Sequence, residues 1–219
     1  SGPALLGQLL ACARCAGVHA LLRRPAPGLA DNPKLALQIV DFAALEHRLP
    51  PVDDVYIALG TTIKVAGSEA AFRRIDFDAV VNTAQAARAA GATRLAVVSA
   101  LGADAHSRIF YNRVKGEMQQ AVQALGYASV VFAQPSLLIG DRLALGQPER
   151  RAERWAERLL APVMGLVPRG VRPITVDKVA RALLQATLDA RPGVRFLSSG
   201  DMQAATGVRA DATGHTRAR

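Results

Sequence analysis

The chain has 219 residues, half of them hydrophobic, with a formal net charge of +9. That length fits one α/β domain with room for a small added lobe, and the apolar content excludes wholesale disorder. No apolar run reaches the roughly 18–20 residues of a membrane span, and no charged-then-apolar secretory signal opens the chain, so a cytoplasmic location and no membrane partner are expected.

Short β-branched runs alternate with longer helical stretches. Pro3 to Ala13 reads as a helix, with Leu5, Leu6, Leu9 and Leu10 on one face and Pro3 in the first turn, where its missing N–H costs nothing. Val18 to Leu22 is a strand stopped by Arg23-Arg24-Pro25, Gln38 to Val40 a second stopped at Asp41, and Val55 to Leu59 a third stopped at Gly60. One long helix is predicted from Ser68, a plausible N-cap, to Ala90, with Gly91 as its C-terminal glycine. A strand at Leu95 to Val98, a helix at Ser107 to Leu125 closed by Gly126, and a strand at Ser129 to Phe132 broken by Pro135 follow.

The last third changes character. Pro148 to Leu160 reads as an Arg/Glu-rich amphipathic helix, and Pro162, Pro168 and Pro173 punctuate a loop-rich stretch. Val176 to Leu188 is a further helix with Thr175 as N-cap, Val194 to Leu197 a last strand, and the chain from about Met202 a frayed tail. Strand followed by helix, repeatedly, predicts an α/β fold with a parallel, doubly wound, Rossmann-like sheet. We expect one domain over 1–200, a substrate lobe from about 140–175, and a flexible tail over 201–219.

Such a sheet opens with a strand and a glycine turn before its first helix. Here only Gly2 stands where the third glycine of a G-x-G-x-x-G turn belongs, so the first strand and most of that turn, roughly 10 residues, are expected to be absent. Their absence would leave a gap in the middle of the sheet rather than at its rim.

Tyr111-Asn112-Arg113-Val114-Lys115 is the sharpest chemical pattern. Residues four apart share a helix face, and an ammonium beside a phenol lowers the phenol pKa, which suits proton exchange. The pair follows a strand ending at Ser99, whose hydroxyl would orient a substrate carbonyl. Arg23 and Arg24 sit where a dinucleotide fold meets the adenosine ribose, and arginine there accommodates a 2′-phosphate, so NADP(H) is expected over NAD(H). Asp41 and Phe42 would flank the adenine. Leu59, Gly60 and Thr61 would lie along the cofactor, with Gly60 permitting close backbone approach, and Pro135, Ser136 and Leu137 would border the nicotinamide.

Other features read as structural. Cys12 and Cys15 form a C-x-x-C pair late in an apolar helical pattern, with no second Cys or Cys/His pair to complete a zinc set. His19, His47, His106 and His215 have no ligand spacing, so no metal is expected. The basic excess is almost entirely arginine, scattered and with few aromatics, which argues against a nucleic-acid partner.

Leu59-Gly60-Thr61-Thr62, Lys64, Gly67, Asp76-Phe77-Asp78, Val98 through Asp104, Tyr111 through Glu117 and Pro135 through Leu138 together resemble the atypical short-chain dehydrogenases related to the HIV Tat-interactive protein 2 oxidoreductase. The resemblance covers about residues 2 to 200. It implies an extended Rossmann fold, NADP(H) binding and a Ser/Tyr/Lys trio at Ser99, Tyr111 and Lys115, with Ala100 standing where members often carry a second serine. It also implies an oxidoreductase acting on a small carbonyl or alcohol, as monomer or homodimer. Alternatives are a cofactor-sensing binding protein and an epimerase or dehydratase.

Overall fold

The computed structural model describes residues 2–26, 32–45, 49–139 and 173–204. Helix α1 (Gly2–Ala11) leads into strand β1 (Val18–Leu22), which pairs in parallel with β2 (Leu35–Ile39). A second parallel ladder contains β3 (Asp54–Ile57), β4 (Arg94–Val98), β5 (Ser129–Gln134) and β8 (Gly193–Ser198), in that spatial order. A short parallel pair, β6 (Leu138–Ile139) with β7 (Ile174–Thr175), completes the strands described. The remaining helices are α2 (Ile63–Ala66), α3 (Glu69–Arg73), α4 (Ala79–Ala89), α5 (Phe110–Gln123), α6 (Val176–Leu188) and α7 (Ser199–Ala204).

Strands β4 and β5 of the four-stranded ladder are buried on both faces, which is why they read as unbroken apolar runs, while the edge strand β8 is largely exposed. Successive strand residues point to opposite faces. Val55, Ile57, Leu95, Val97, Val130 and Phe132 therefore meet Val80, Ala84 and Ala87 of α4 and Met118 and Val122 of α5. Ala96, Val98, Val131 and Ala133 meet Val179, Ala182, Leu183 and Ala186 of α6 on the other side. This is the doubly wound α/β arrangement expected.

The two ladders part between β1 and β3, neither of which pairs with the other. Helix α1 spans this break: α1 packs on α6 and touches β1, while Leu9 and the following Cys12 and Cys15 cluster with Leu184, Leu188 and Tyr56 of β3. Burial of the cysteines in this cluster, beside each other, pushes the Cys15 thiol up to about 11. That is a packing environment rather than one that favours a reactive thiolate.

Several elements differ from expectation. The predicted helix over 68–90 contains a π segment, Arg74–Asp78, between α3 and α4. Ser68 does cap it, accepting from the Ala71 N–H at 3.1 Å, and Gly91 ends it at φ 104°. Helix α2 was not expected; its N-cap is Thr62, and Gly67 closes it at φ 87°. Helix α5 starts three residues later than predicted, because 99–109 is a loop laid across its first turns. Strand β2 begins at Leu35 and β5 runs on to Gln134. Thr175 precedes α6 but makes no side-chain cap bond. The frayed tail expected from Met202 is corrected there: Met202 lies in α7 and is fully buried. The predicted 148–160 helix, nearly all of the 140–175 lobe, His47, His215 and the tail beyond Ala204 lie outside the described residues.

Candidate active site

Strands running the same way end on the same edge, so the C-terminal edge of each parallel ladder gathers the residues that follow its strands. Arg23 and Arg24 follow β1, Asp41 and Phe42 follow β2, Leu59, Gly60 and Thr61 follow β3, Ser99 follows β4, and Pro135, Ser136 and Leu137 follow β5. Gly2 opens α1, and a Cβ there would meet nothing within 4 Å.

Helix α5 brings the chemistry to this edge. Tyr111, Lys115 and Gln119 are four apart and share one face. Lys115 is buried, and its ammonium lies 2.7 Å from Oδ1 of Asp76, a carboxylate with no exposure at all. Asp76 sits in the π segment and accepts at Oδ2 from the Thr61 backbone N–H at 2.9 Å. A π segment inside a helix rotates its residues relative to the flanking turns and often marks a functional position. Gly60 lets the tip of β3 pass over this pair: a Cβ there would lie 3.3 Å from Asp76 Oδ1 and 3.8 Å from Lys115 Nζ.

Ser99 is buried and accepts a 2.6 Å hydrogen bond from the Gln119 side-chain amide. That donor occupies an oxygen lone pair and leaves the serine O–H available to donate elsewhere. Tyr111 packs its ring against the fully buried Phe72 of α3, with centroids 5.3 Å apart. Its hydroxyl makes no hydrogen bond among the described residues. The arrangement thus joins Gly60, Thr61, Asp76 and Lys115 in one cluster and Ser99 with Gln119 in another, with no bond from Tyr111 to Ser99.

The electrostatics correct one expectation. Lys115 was expected to lower the Tyr111 pKa. Instead the Tyr111 hydroxyl is pushed up to about 12, first by burial and then by the negative charge of Asp76. The lysine charge is matched by Asp76 at contact distance, so little of it is left to act on the phenol.

The outlying residues are placed as follows. Arg23 and Arg24 are exposed at the end of β1 and make no ion pair with a described residue. Asp41 caps its own turn, accepting from the Ala43 N–H at 2.9 Å, and the Phe42 carbonyl accepts from Asn82 of α4 at 3.2 Å. The Pro135 carbonyl accepts from the Leu101 N–H at 3.0 Å, tying the tip of β5 to the loop after β4. The Ser136 N–H donates to Ser199 Oγ at 2.9 Å, while Leu137 is exposed. Sequence reasoning missed Asp76, Gln119, Phe72 and Ser199. Gln119 had a signal, since it continues the four-residue spacing of Tyr111 and Lys115. Asp76 had none beyond its place in a motif, because the partner is 39 residues away. No group of three or more His, Cys, Asp or Glu among the described residues is arranged to hold a metal ion, and no described helix is long and apolar enough to cross a membrane.

Comparison with known proteins bears on the family and the fold. A family model described as NAD(P)H-binding matches residues 2–137. Protein fmp52, mitochondrial, of Emericella nidulans is 30% identical over 202 residues, covering 88% of this chain and 84% of that protein. Its namesake in Aspergillus fumigatus is 33% identical over the same length and shares. These relatives are named as mitochondrial, which overturns the expectation of a cytoplasmic location. Among solved structures, MoeE5 in complex with UDP-glucose and NAD superposes with a TM-score of 0.64 at 19% identity, over 90% of this chain and 71% of that one. The Bordetella bronchiseptica enzyme WbmG in complex with NAD gives 0.64 at 17% identity, over 91% and 69%. At those identities the likeness is one of fold.

Proposed function

We propose that this chain, which belongs to the NAD(P)H-binding family, is an NADP(H)-dependent oxidoreductase of the atypical short-chain dehydrogenase type, acting on a small carbonyl or alcohol through Ser99, Tyr111 and Lys115. The observation that carries this reading is the single face of α5 that carries Tyr111, Lys115 and Gln119, with Gln119 bonded to Ser99 after β4 and Lys115 paired with Asp76.

The cofactor's fit is supported by this chain's own donors. Two exposed guanidinium groups at Arg23 and Arg24, with no ion pair among the described residues, match the chemistry of a 2′-phosphate, which arginine binds through paired N–H groups. Gly60 and Thr61 would carry backbone past the cofactor, Asp41 and Phe42 would flank its adenine, and Pro135, Ser136 and Leu137 would border its nicotinamide. Gly2, at the start of α1, would lie near the pyrophosphate, where helix N–H groups favour anions. When bound, NADPH supplies the hydride.

The protein's residues do the rest. Ser99 donates its O–H to the substrate carbonyl oxygen, held in that orientation by Gln119. Tyr111, neutral at physiological pH, gives its Oη proton to the oxygen as negative charge develops there. Lys115 contributes positive charge from the floor of the site, shared with Asp76. Removing one acid/base group typically costs about 100- to 10,000-fold in rate. Tyr111→Phe should therefore abolish measurable NADPH oxidation with carbonyl substrates while leaving NADPH binding, followed by fluorescence, nearly unchanged. NADPH should bind more tightly than NADH in the same titration. Activity that survives Tyr111→Phe would end this reading.

The raised Tyr111 and its missing hydrogen bond favour a second reading, a cofactor-binding protein with no significant turnover. NADPH binding without oxidation across a broad carbonyl screen would select it.

A further inference from the structure

A lysine four residues after a tyrosine is ordinarily taken as the charge that acidifies the phenol. Here the charge is committed elsewhere. Asp76 has no exposure, and its carboxylate is 2.7 Å from the Lys115 ammonium and 2.9 Å from the Thr61 N–H. The π segment at Arg74–Asp78 interrupts an otherwise regular helix at this residue. A buried carboxylate needs such partners to stay ionised, and their placement makes the pair a fixed feature of the site.

We propose that Asp76 is a positioning residue that fixes the Lys115 ammonium at contact distance, so that the lysine charge is not free to acidify Tyr111. The proposal rests on the oxidoreductase reading above for its meaning, but not for its test.

The elements around Tyr111 carry several charged groups. The α3–π–α4 helix offers Arg73, paired with Glu117 of α5, and Asp76. Helix α5 itself offers Lys115, Glu117 and Arg113, whose guanidinium donates to the Ser107 carbonyl. The loop 99–109 offers Asp104, which accepts from the His106 N–H, and His106. Of these, Asp76 is the charge that acts on Tyr111, and it acts upward, in the same direction as burial. Neutralising Asp76 removes that charge and frees the Lys115 ammonium, and both changes move the phenol down.

The experiment is an ultraviolet titration of tyrosine ionisation in the full chain without substrate. The Tyr111 contribution is taken as the difference between each protein and its Tyr111→Phe partner. In the otherwise unaltered protein this difference should ionise near 12. In Asp76→Asn it should ionise at a lower pH. An unmoved Tyr111 titration in folded Asp76→Asn would overturn the proposal. If Asp76→Asn does not fold, the double variant Asp76→Asn/Lys115→Met, which leaves no unpaired buried charge, is titrated in the same way. Tyr111 should again ionise lower than in the unaltered protein, and an unmoved titration would overturn the proposal. Loss of turnover in Tyr111→Phe is a separate measurement, so either conclusion can fail without the other.

Discussion

At the residue scale, the positions that matter most are those whose neighbours leave no alternative. Gly116 lies between Lys115 and Glu117 on α5, and a Cβ there would lie 2.1 Å from the Ala105 nitrogen and 2.2 Å from the Asp104 carbonyl carbon. Both contacts are backbone, so no side chain can swing aside. Gly116→Ala must lift the 99–109 loop off the helix, breaking the bond from the Asp104 N–H to the Asn112 carbonyl. Overpacking a tight interior costs about 1–3 kcal/mol, and a backbone clash belongs at or beyond the top of that range. Urea denaturation should find Gly116→Ala destabilised by about 3 kcal/mol or more; a change within about 0.5 kcal/mol, ordinary for surface sites, would contradict the geometry. Part of this site was legible beforehand. Tyr111, Lys115 and Ser99 could be read because a helix repeats every 3.6 residues and a strand end is marked by its apolar run. Asp76 and Gly116 could not, because each depends on what a distant segment places against it. The lowered phenol pKa expected from spacing alone failed for the same reason: the counter-charge on Lys115 comes from another helix.

At the element scale, local signals worked where hydrogen bonding is local. The Ser68 cap, the glycine after α4, and the unbroken apolar runs of β4 and β5 all lie in short windows of sequence. The π segment did not announce itself, because Arg74 to Asp78 carries no proline or glycine and continues the helical pattern. Its setting is tertiary: Asp76 faces Lys115 and Thr61, and Phe72, one turn earlier, faces Tyr111 and Phe110. The helix start is correspondingly important. Ser68 Oγ satisfies the Ala71 N–H, and a side-chain cap is worth about 1 kcal/mol. Ser68→Ala should lower stability by about that amount, read from denaturant midpoints at constant slope. Because Phe72 and Asp76 lie within two turns of the cap, the same variant should also loosen Tyr111, seen as line broadening of its ring resonances. A stability change with sharp Tyr111 signals would separate the cap from the site.

At the scale of the whole molecule, the two ladders are unequally secured. Val97, Val131 and Phe132 of β4 and β5 are wholly buried, and helices cover both faces. Among β1 and β2 no residue is buried, and Leu37 and Ile39 of β2 are 39% and 53% exposed. Hydrophobic stabilisation follows the apolar area removed from water, so the pair β1–β2 contributes little core and is held mainly by its own hydrogen bonds and by α1. Local opening draws on the regions with least burial. Native-state hydrogen exchange should therefore find the amides of β1 and β2 opening by a low-energy route, well short of global unfolding. Those of β4 and β5 should exchange only through it. The two proposed arginine contacts lie at the end of β1, so cofactor binding would couple to this opening. Saturating NADPH should slow exchange in β1 and β2 more than in β4 and β5, because a ligand stabilises whichever opening abolishes its site. Equal protection of the two ladders before cofactor is added would show that the break between β1 and β3 carries no energetic consequence. Unequal protection that NADPH leaves untouched would move the cofactor away from Arg23 and Arg24.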